Sequence, residues 1–169
     1  MVRLDTVINS WKTVREDSAQ AVEDFSAHEL DYRPSADQMT FGEIARHILE
    51  AGHILSGVLV DGVESMATAE FRDMRQMYVA QLPKTDGAGA LARELRSQIE
   101  SRTAELSARS TEFYAGEITR FDGQVVTRLE MLQFIKEHEL THRQQLFMYL
   151  RLKGIVPPTT RRRLAKAKT

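Results

Sequence analysis

The stretch Thr127–Gly154, TRLEMLQFIKEHELTHRQQLFMYLRLKG, is the longest uninterrupted helical pattern in the chain. Thr127 and Glu130 form a capping box at its start, because the hydroxyl of the first and the carboxylate of the second can each accept a hydrogen bond from a free backbone N–H. The glycine at its end suits the residue that follows a helix, and Pro157-Pro158 prevents continuation. The stretch therefore predicts a helix over about residues 128–153.

Apolar residues recur at helical spacing in four further segments, which cover residues 2 to about 26, 41 to about 60, about 66–81 and about 90–109. A second capping box, Thr40 with Glu43, opens the second of these segments. Residues 112–126 combine aromatic and β-branched side chains with Asp122-Gly123, which is typical of an irregular segment or a short hairpin. Four substantial helices, one shorter helix and almost no strand predict an all-α protein, an up-and-down four-helix bundle with a short extra helix.

The length and composition of the chain limit the possible classes of protein. With 169 residues the chain is long enough for a sizeable core, and we expect residues 1–158 to form a single helical bundle domain. There is no cysteine, so any metal must be held by His, Asp or Glu. No apolar run approaches the roughly 20 residues that a membrane span needs. The N-terminal residues have no apolar signal-peptide segment, so we expect a cytoplasmic protein without membrane contact.

The charge of the chain is unevenly distributed. The net charge is −1, whereas residues 159–169 carry five basic residues and no acid, so the residues before them are acidic overall. A basic segment can contact nucleic acid or an anionic surface, but a terminal segment is more often solvated and frayed. We therefore expect a disordered basic tail over residues 159–169, and the acidic body makes nucleic acid an unfavoured partner.

Two histidines in the longest helix are the first candidate site. His138 and His142 are four residues apart, so both rings project from one helix face and can reach one metal ion. Together with Glu139 they match H-E-x-x-H, the signature of zinc metalloproteases. Those enzymes take their third ligand downstream, and no His, Asp or Glu follows His142, which excludes the protease interpretation. The alternative without metal is a hydrogen-bonded pair of core histidines.

A third ligand must therefore come from an earlier part of the chain. His47 is the best candidate, because it lies on the apolar face of the second predicted helix between Ile44 and Ile54. A single histidine on an apolar face is, however, more often a satisfied core residue. His53 lies about 240° around the helix from His47, so the two cannot share a metal without distortion. His28, at the end of the first helix, is expected at the surface.

The sequence does not identify catalytic residues, and Glu139 and Arg143 are the candidates. Glu139 lies about 100° around the helix from His138. It could orient a ligand histidine, act as general base or form a surface pair with Arg143 at i+4, and the surface or orienting role is favoured. Arg143 could bind an anionic substrate group or pair with an acid. Gln145 and Tyr149 could line a pocket, and core packing is equally compatible with Tyr149.

Three stretches of the chain resemble the DinB/YfiT-like superfamily of metal-binding four-helix bundles. They are residues 31–48, which include DYRP and MTFGEIARHI, residues 117–123, and residues 138–158, which begin HELTHRQQ. The last stretch resembles the H-x-x-x-H-R-G-Q helix of that superfamily. One departure is Gln144, which stands where the family usually has glycine, so a close approach by a neighbouring helix at that position is in doubt.

The resemblance implies a metal site and several possible activities. His47, His138 and His142 would bind a divalent transition metal, with zinc or nickel preferred and iron, cobalt or manganese possible. Members of the superfamily include S-transferases that use bacillithiol or mycothiol, so a metal-dependent transferase acting with a metal-bound thiolate on small electrophiles is implied. The alternatives are a hydrolase that uses a metal-bound water and a non-catalytic, metal-stabilised stress-response bundle. The resemblance also implies a homodimer.

Overall fold

Four long helices form the body of the protein in a computed structural model that describes residues 2–25 and 29–167. They are α1 (Leu4–Asp24), α2 (Phe41–Val60), α4 (Gly87–Ser107) and α6 (Arg128–Leu152). Three shorter helices accompany them: α3 (Glu70–Gln81), α5 (Thr111–Ala115) and α7 (Pro158–Lys166). The prediction of an all-α four-helix bundle is confirmed.

A small β-hairpin precedes the longest helix. Its strands, β1 (Glu117–Thr119) and β2 (Val125–Thr127), pair antiparallel with Ile118 opposite Val126. Gly123 has a φ of 82° in the turn, a conformation that a residue with a side chain rarely adopts. The segment expected to be irregular or a hairpin is therefore a short helix, α5, followed by a hairpin that leads directly into α6.

Both predicted capping boxes are present at the helices that carry the candidate histidines. The Thr40 hydroxyl accepts a hydrogen bond from the Glu43 N–H at 3.1 Å, and the Thr127 hydroxyl accepts one from the Glu130 N–H at 3.2 Å. Each glutamate carboxylate in turn accepts from the N–H of its threonine. The free N–H groups at the starts of α2 and α6 are thus satisfied locally, which determines where each helix begins.

Each long helix packs against two others in the bundle. α1 and α2 both contact α4 and α6, so α1 and α2 lie diagonally opposite each other. The apolar core has two regions. In the first, the N-terminal parts of α1 and α6 pack with the C-terminal parts of α2 and α4. In the second, the C-terminal parts of α1 and α6 pack with the N-terminal parts of α2 and α4. Hence α1 and α6 run in one direction and α2 and α4 in the other. The helical bundle is as expected, but its up-and-down order is not, because the consecutive long helices α2 and α4 are parallel. The long connection that contains α3 returns the chain so that α4 begins beside the start of α2.

The basic C-terminal segment is a helix. Disorder was expected over residues 159–169, and this is wrong for the residues up to 166, which belong to α7. Pro158 occupies the first turn of α7, where its missing N–H costs no hydrogen bond. The helix folds back onto α1 through two ion pairs, Arg161 with Asp24 and Arg162 with Asp17. The basic charges therefore compensate acids of the same chain.

Across residues 2–25 and 29–167, no helix has an apolar stretch of the extent that crossing a membrane requires.

Candidate metal centre

Three histidines from two helices converge at one point of the bundle. His47 comes from α2, and His138 and His142 come from successive turns of α6. The Nε2 atom of His138 lies 3.3 Å from Nε2 of His47 and 3.3 Å from Nε2 of His142. One potential ligand atom of each ring lies within 4.8 Å of the others. The structure thus brings together the three histidines that were expected to form the site.

The spacing of the ring nitrogens fits a metal ion. Two nitrogens bound at about 2.0–2.1 Å to a tetrahedral zinc ion are separated by about 3.3–3.4 Å. Both measured Nε2 separations from His138 equal 3.3 Å. Three imidazole ligands suit zinc, nickel, iron or cobalt and leave at least one coordination position for another ligand. The residues present therefore fit a divalent transition metal with an open position.

Burial keeps the imidazoles of His138 and His47 neutral. Desolvation, followed by the charges of His142 and His47, lowers the pKa of His138 to about 4. Desolvation is also the largest cause of the lowered pKa of His47, with smaller effects from His142 and Arg75. A neutral imidazole has a free lone pair, whereas an imidazolium cannot bind a metal. Protons therefore compete weakly for these two rings near neutral pH.

Gln145 holds the third ring in position. Nδ1 of His142 donates a hydrogen bond to Oε1 of Gln145 at 2.7 Å, which leaves the lone pair on Nε2, the nitrogen that faces His138. The sequence suggested only a pocket-lining role for Gln145, although its i+3 spacing from His142 was a signal for contact. Gln144, at the position where glycine was expected, is exposed and does not obstruct packing.

His53 does not belong to this cluster. Its Nε2 lies 3.3 Å from Oε1 of Gln81, and the ring also contacts Arg102. That His53 does not share a metal with His47 stays a prediction. His28, which was expected at the surface, lies outside the described residues.

Glu139 faces α1, on a different side of α6 from the two histidines. Its carboxylate accepts hydrogen bonds from Trp11 Nε1 at 2.7 Å and from Arg15 Nε and Nη2 at 2.7 and 2.8 Å. Only 2% of Glu139 is exposed, so the surface pair with Arg143, one of the two roles that the sequence favoured, is wrong. The carboxylate instead connects the histidine-bearing turns of α6 to α1 through a buried, two-point ion pair.

Arg15, the partner of Glu139, is a residue near the site that the sequence did not indicate. Arg15 is completely buried and also donates to Gln98 Oε1 and the Leu95 carbonyl of α4. A methyl group on Gly52 of α2 would overlap with Arg15 Nη2, so this glycine provides the space for the guanidinium. The available signal was periodicity, because Arg15 follows Trp11 by one helical turn and therefore lies on the apolar face of α1.

Arg143 and Tyr149 both make internal contacts. Arg143 Nη1 donates to Oδ2 of Asp17 at 3.1 Å, and its guanidinium lies 5.1 Å from the centre of the Phe147 ring. Tyr149 is buried, and its hydroxyl donates to the Met39 carbonyl at 2.9 Å, which connects α6 to the loop before α2. Of the two roles considered for Arg143, pairing with an acid is the contact observed.

A cavity of about 400 Å³ lies beside the histidine cluster. His47 forms part of its wall, and the other walls come from α2, α3 and Phe121 of the hairpin loop. The close packing of α3 on α2 depends on Gly57, because an added methyl group there would overlap with the Tyr78 ring. The open position of a metal at the three histidines would thus have access to a pocket of a size that small molecules occupy.

Comparison with known proteins gives a family and a fold. The model of the DinB family matches residues 1–168. The chain is 23% identical over 155 residues to the uncharacterized protein YjoA of Bacillus subtilis, covering 91% of this chain and 93% of that protein. The crystal structure of this DinB-like YjoA protein matches with a TM-score of 0.67 and 26% identity, covering 88% of this chain and 92% of the other.

A second solved structure is similar in fold. The crystal structure of the mycothiol-dependent maleylpyruvate isomerase matches with a TM-score of 0.63. The alignment covers 86% of this chain but 61% of that one, and only 14% of the residues are identical. At this identity the match shows a shared helical-bundle fold.

Proposed function

Because this chain belongs to the DinB family, we propose that it binds a divalent transition metal through His47, His138 and His142 and uses a low-molecular-weight thiol, of the bacillithiol or mycothiol type, to attack small electrophiles. The observation that carries this proposal is the convergence of three imidazole nitrogens, together with the position of one of these histidines, His47, in the wall of an open, largely apolar cavity. Support for a thiol also comes from the structural neighbour, whose isomerase activity is described as mycothiol-dependent.

The chemistry requires a thiol that is deprotonated at neutral pH. A dipositive ion held by three neutral imidazoles keeps its full charge and, when bound, would favour the thiolate over the thiol. His138 and His47 stay neutral because burial lowers their pKa values, and Gln145 keeps the ring of His142 in the required tautomer. The cavity beside His47 would hold the electrophile. The sulfur forms a bond to its carbon, the leaving group departs with its electron pair, and the thiol proton passes to solvent.

The remaining expectations are part of this proposal. Zinc or nickel stays the preferred metal from the family resemblance, and iron, cobalt and manganese are alternatives, because imidazole ligation alone does not choose among transition metals. A homodimer and a cytoplasmic location stay predictions.

A matched pair of histidine variants tests the proposal. The purified protein is analysed for metals, reloaded with zinc or nickel, and incubated with an electrophilic substrate and a panel of thiols. Thiol-dependent turnover is expected for the original chain and for His53→Ala, because His53 is on the same helix but outside the cluster. His47→Ala should lose both metal and turnover. Activity that survives His47→Ala would refute the proposal.

Two other outcomes separate the alternatives. Turnover that needs the metal but no added thiol would identify a hydrolase. A metal that raises thermal stability without turnover of any substrate would favour the non-catalytic, metal-stabilised bundle. Either result contradicts the thiol-dependent transferase.

A further inference from the structure

One positively charged side chain in the wall of the cavity beside His47 has no acidic partner among the described residues. Its two charged side chains, apart from the histidine, are Glu50 and Arg75. Glu50 lies 3.9 Å from Arg46, one turn earlier on α2. Arg75, on α3, forms no hydrogen bond or ion pair with any residue in the described ranges 2–25 and 29–167. Glu50 thus has a basic neighbour, whereas Arg75 has no acidic partner within the described ranges.

The other walls of the cavity are apolar. They consist of one alanine and five larger side chains: Ile54, Leu55, Phe71, Val79 and Phe121. Two of these are exposed to solvent, Val79 to 37% and Phe121 to 52%. Covering large apolar side chains lowers the free energy, because it removes their surface from water. A ligand with an apolar segment would cover them.

Arg75 and His47 both line this cavity, so a ligand inside it can contact both side chains. The cavity volume of about 400 Å³ lies within the range of small-molecule sites. A single small molecule can therefore extend from the histidine cluster to the guanidinium.

We propose that Arg75 selects ligands that carry a carboxylate or a similar organic anion, joined by an apolar segment to the group that binds at the histidine cluster. This inference rests on the proposed function, because it names the chemical class of thiol or electrophile that the same site accepts. The guanidinium forms a charge-assisted hydrogen bond with the anion, and the five apolar side chains cover the segment between the two ends.

Matched thiols test the preference for an anion. Cobalt(II) is loaded in place of the native metal, and its absorption spectrum reports sulfur binding. Dissociation constants are measured for 3-mercaptopropionate and 6-mercaptohexanoate against the alcohols of the same length, 3-mercapto-1-propanol and 6-mercapto-1-hexanol. At least one carboxylate should bind about tenfold more tightly than its alcohol, because a hydrogen bond between charged groups has about this effect.

Variants of two arginines on the same helix assign the effect. Arg75→Met should remove the preference for the carboxylate, while Arg75→Lys should keep part of it. Arg72→Met is the control, because Arg72 is an exposed arginine of α3 that does not line the cavity. A preference that is absent from the original chain, or that persists in Arg75→Met, would overturn the inference.

A metal-free measurement separates this inference from the proposed function. Binding of hexanoate and 1-hexanol to the metal-free protein is followed at pH 7.5 by ligand-observed NMR. Tighter binding of hexanoate that disappears in Arg75→Met supports the anion site, even if no thiol binds to the cobalt form and the transferase proposal fails. Equal binding of hexanoate and 1-hexanol contradicts the anion site, whatever the thiols do.

Discussion

At the level of single residues, the site depends on side chains that orient the imidazoles. Gln145 is the clearest case, because its carbonyl oxygen accepts from Nδ1 of His142 and leaves Nε2 to face the cluster. Partners of this kind raise the affinity of a metal site without touching the metal.

Removing the side chain of Gln145 should weaken metal binding. Gln145→Ala frees the ring of His142 to rotate and to change tautomer, so we expect metal affinity to fall by about 10-fold to 100-fold. Competition with a chromophoric chelator measures the affinity. Gln144→Ala is the control, because it makes the same change at the neighbouring, exposed position. Equal affinities for the two variants would show that the hydrogen bond has no role.

The buried histidines should also make the metal-free protein sensitive to acid. The pKa of His138 is about 4 in the folded protein and about 6.5 in an unfolded chain. Between these values the unfolded state binds a proton that the folded state does not, so the free energy of unfolding should fall as the pH is lowered from about 6.5 to about 4. Urea denaturation in the presence of chelator measures this fall. His138→Gln should show a smaller fall, and an unchanged fall would contradict the assignment.

The sequence predicted part of this site from local geometry. The pairing of His138 with His142 follows from the helical period alone. His47 is 91 residues away from His138, so its place depends on how α2 and α6 pack, and its support came mainly from family resemblance. The partner of Glu139 was missed for the same reason, since Arg15 is 124 residues away and no local pattern connects the two.

At the level of helices, α6 has two chemically different buried sides. His138 and His142 face α2, while Glu139 faces the Arg15 guanidinium of α1. A buried charge is tolerated when its partner is close and its remaining hydrogen-bonding groups are satisfied. The ion pair therefore limits rotation of α6, which would move the two histidines away from α2.

Gly52 on α2 provides the space that the ion pair between Arg15 and Glu139 needs. Gly52→Ala places a methyl group against the fully buried Arg15 guanidinium, which Glu139 and Gln98 hold in place. We expect a loss of about 1–3 kcal/mol in the free energy of unfolding. Gly89→Ala is the control, because this exposed glycine of α4 has space for a methyl group. It should instead stabilise the protein by about 0.5–1 kcal/mol.

Urea denaturation distinguishes the two glycine variants by the sign of their effects. A Gly52→Ala variant as stable as the original chain would show that the guanidinium can move aside at little cost.

At the level of the whole molecule, the metal would join helices that the chain connects only through long segments. A ligand that binds only the folded state stabilises it by about 2.7 kcal/mol at a free concentration of 100 times its dissociation constant. For a protein of this size, this corresponds to a rise in Tm of about 5–10 °C. His47→Ala should abolish the rise and His53→Ala should retain it. Differential scanning calorimetry with zinc or nickel checks this, and a rise retained in His47→Ala would place the metal elsewhere.

The fold itself was largely predictable because most helices have local signals. Both capping boxes mark the beginning of a helix, at Thr40 and Thr127, and apolar periodicity marks the buried faces. The last helix, α7, has no such signal in its composition. It is stabilised in part by ion pairs to Asp17 and Asp24 of α1, which are distant in the sequence. Charge composition alone therefore predicted a disordered tail.

The distribution of the three histidines along the chain also has a consequence for biosynthesis. A growing polypeptide that extends only through α4 contains one of the three ligands, His47, and the other two follow on α6, the last long helix. The complete site can therefore form only after translation has passed residue 142. Products of premature termination that lack α6 would contain only His47 of the three, so a metal at the proposed site would be bound by all three histidines only after α6 has been synthesised.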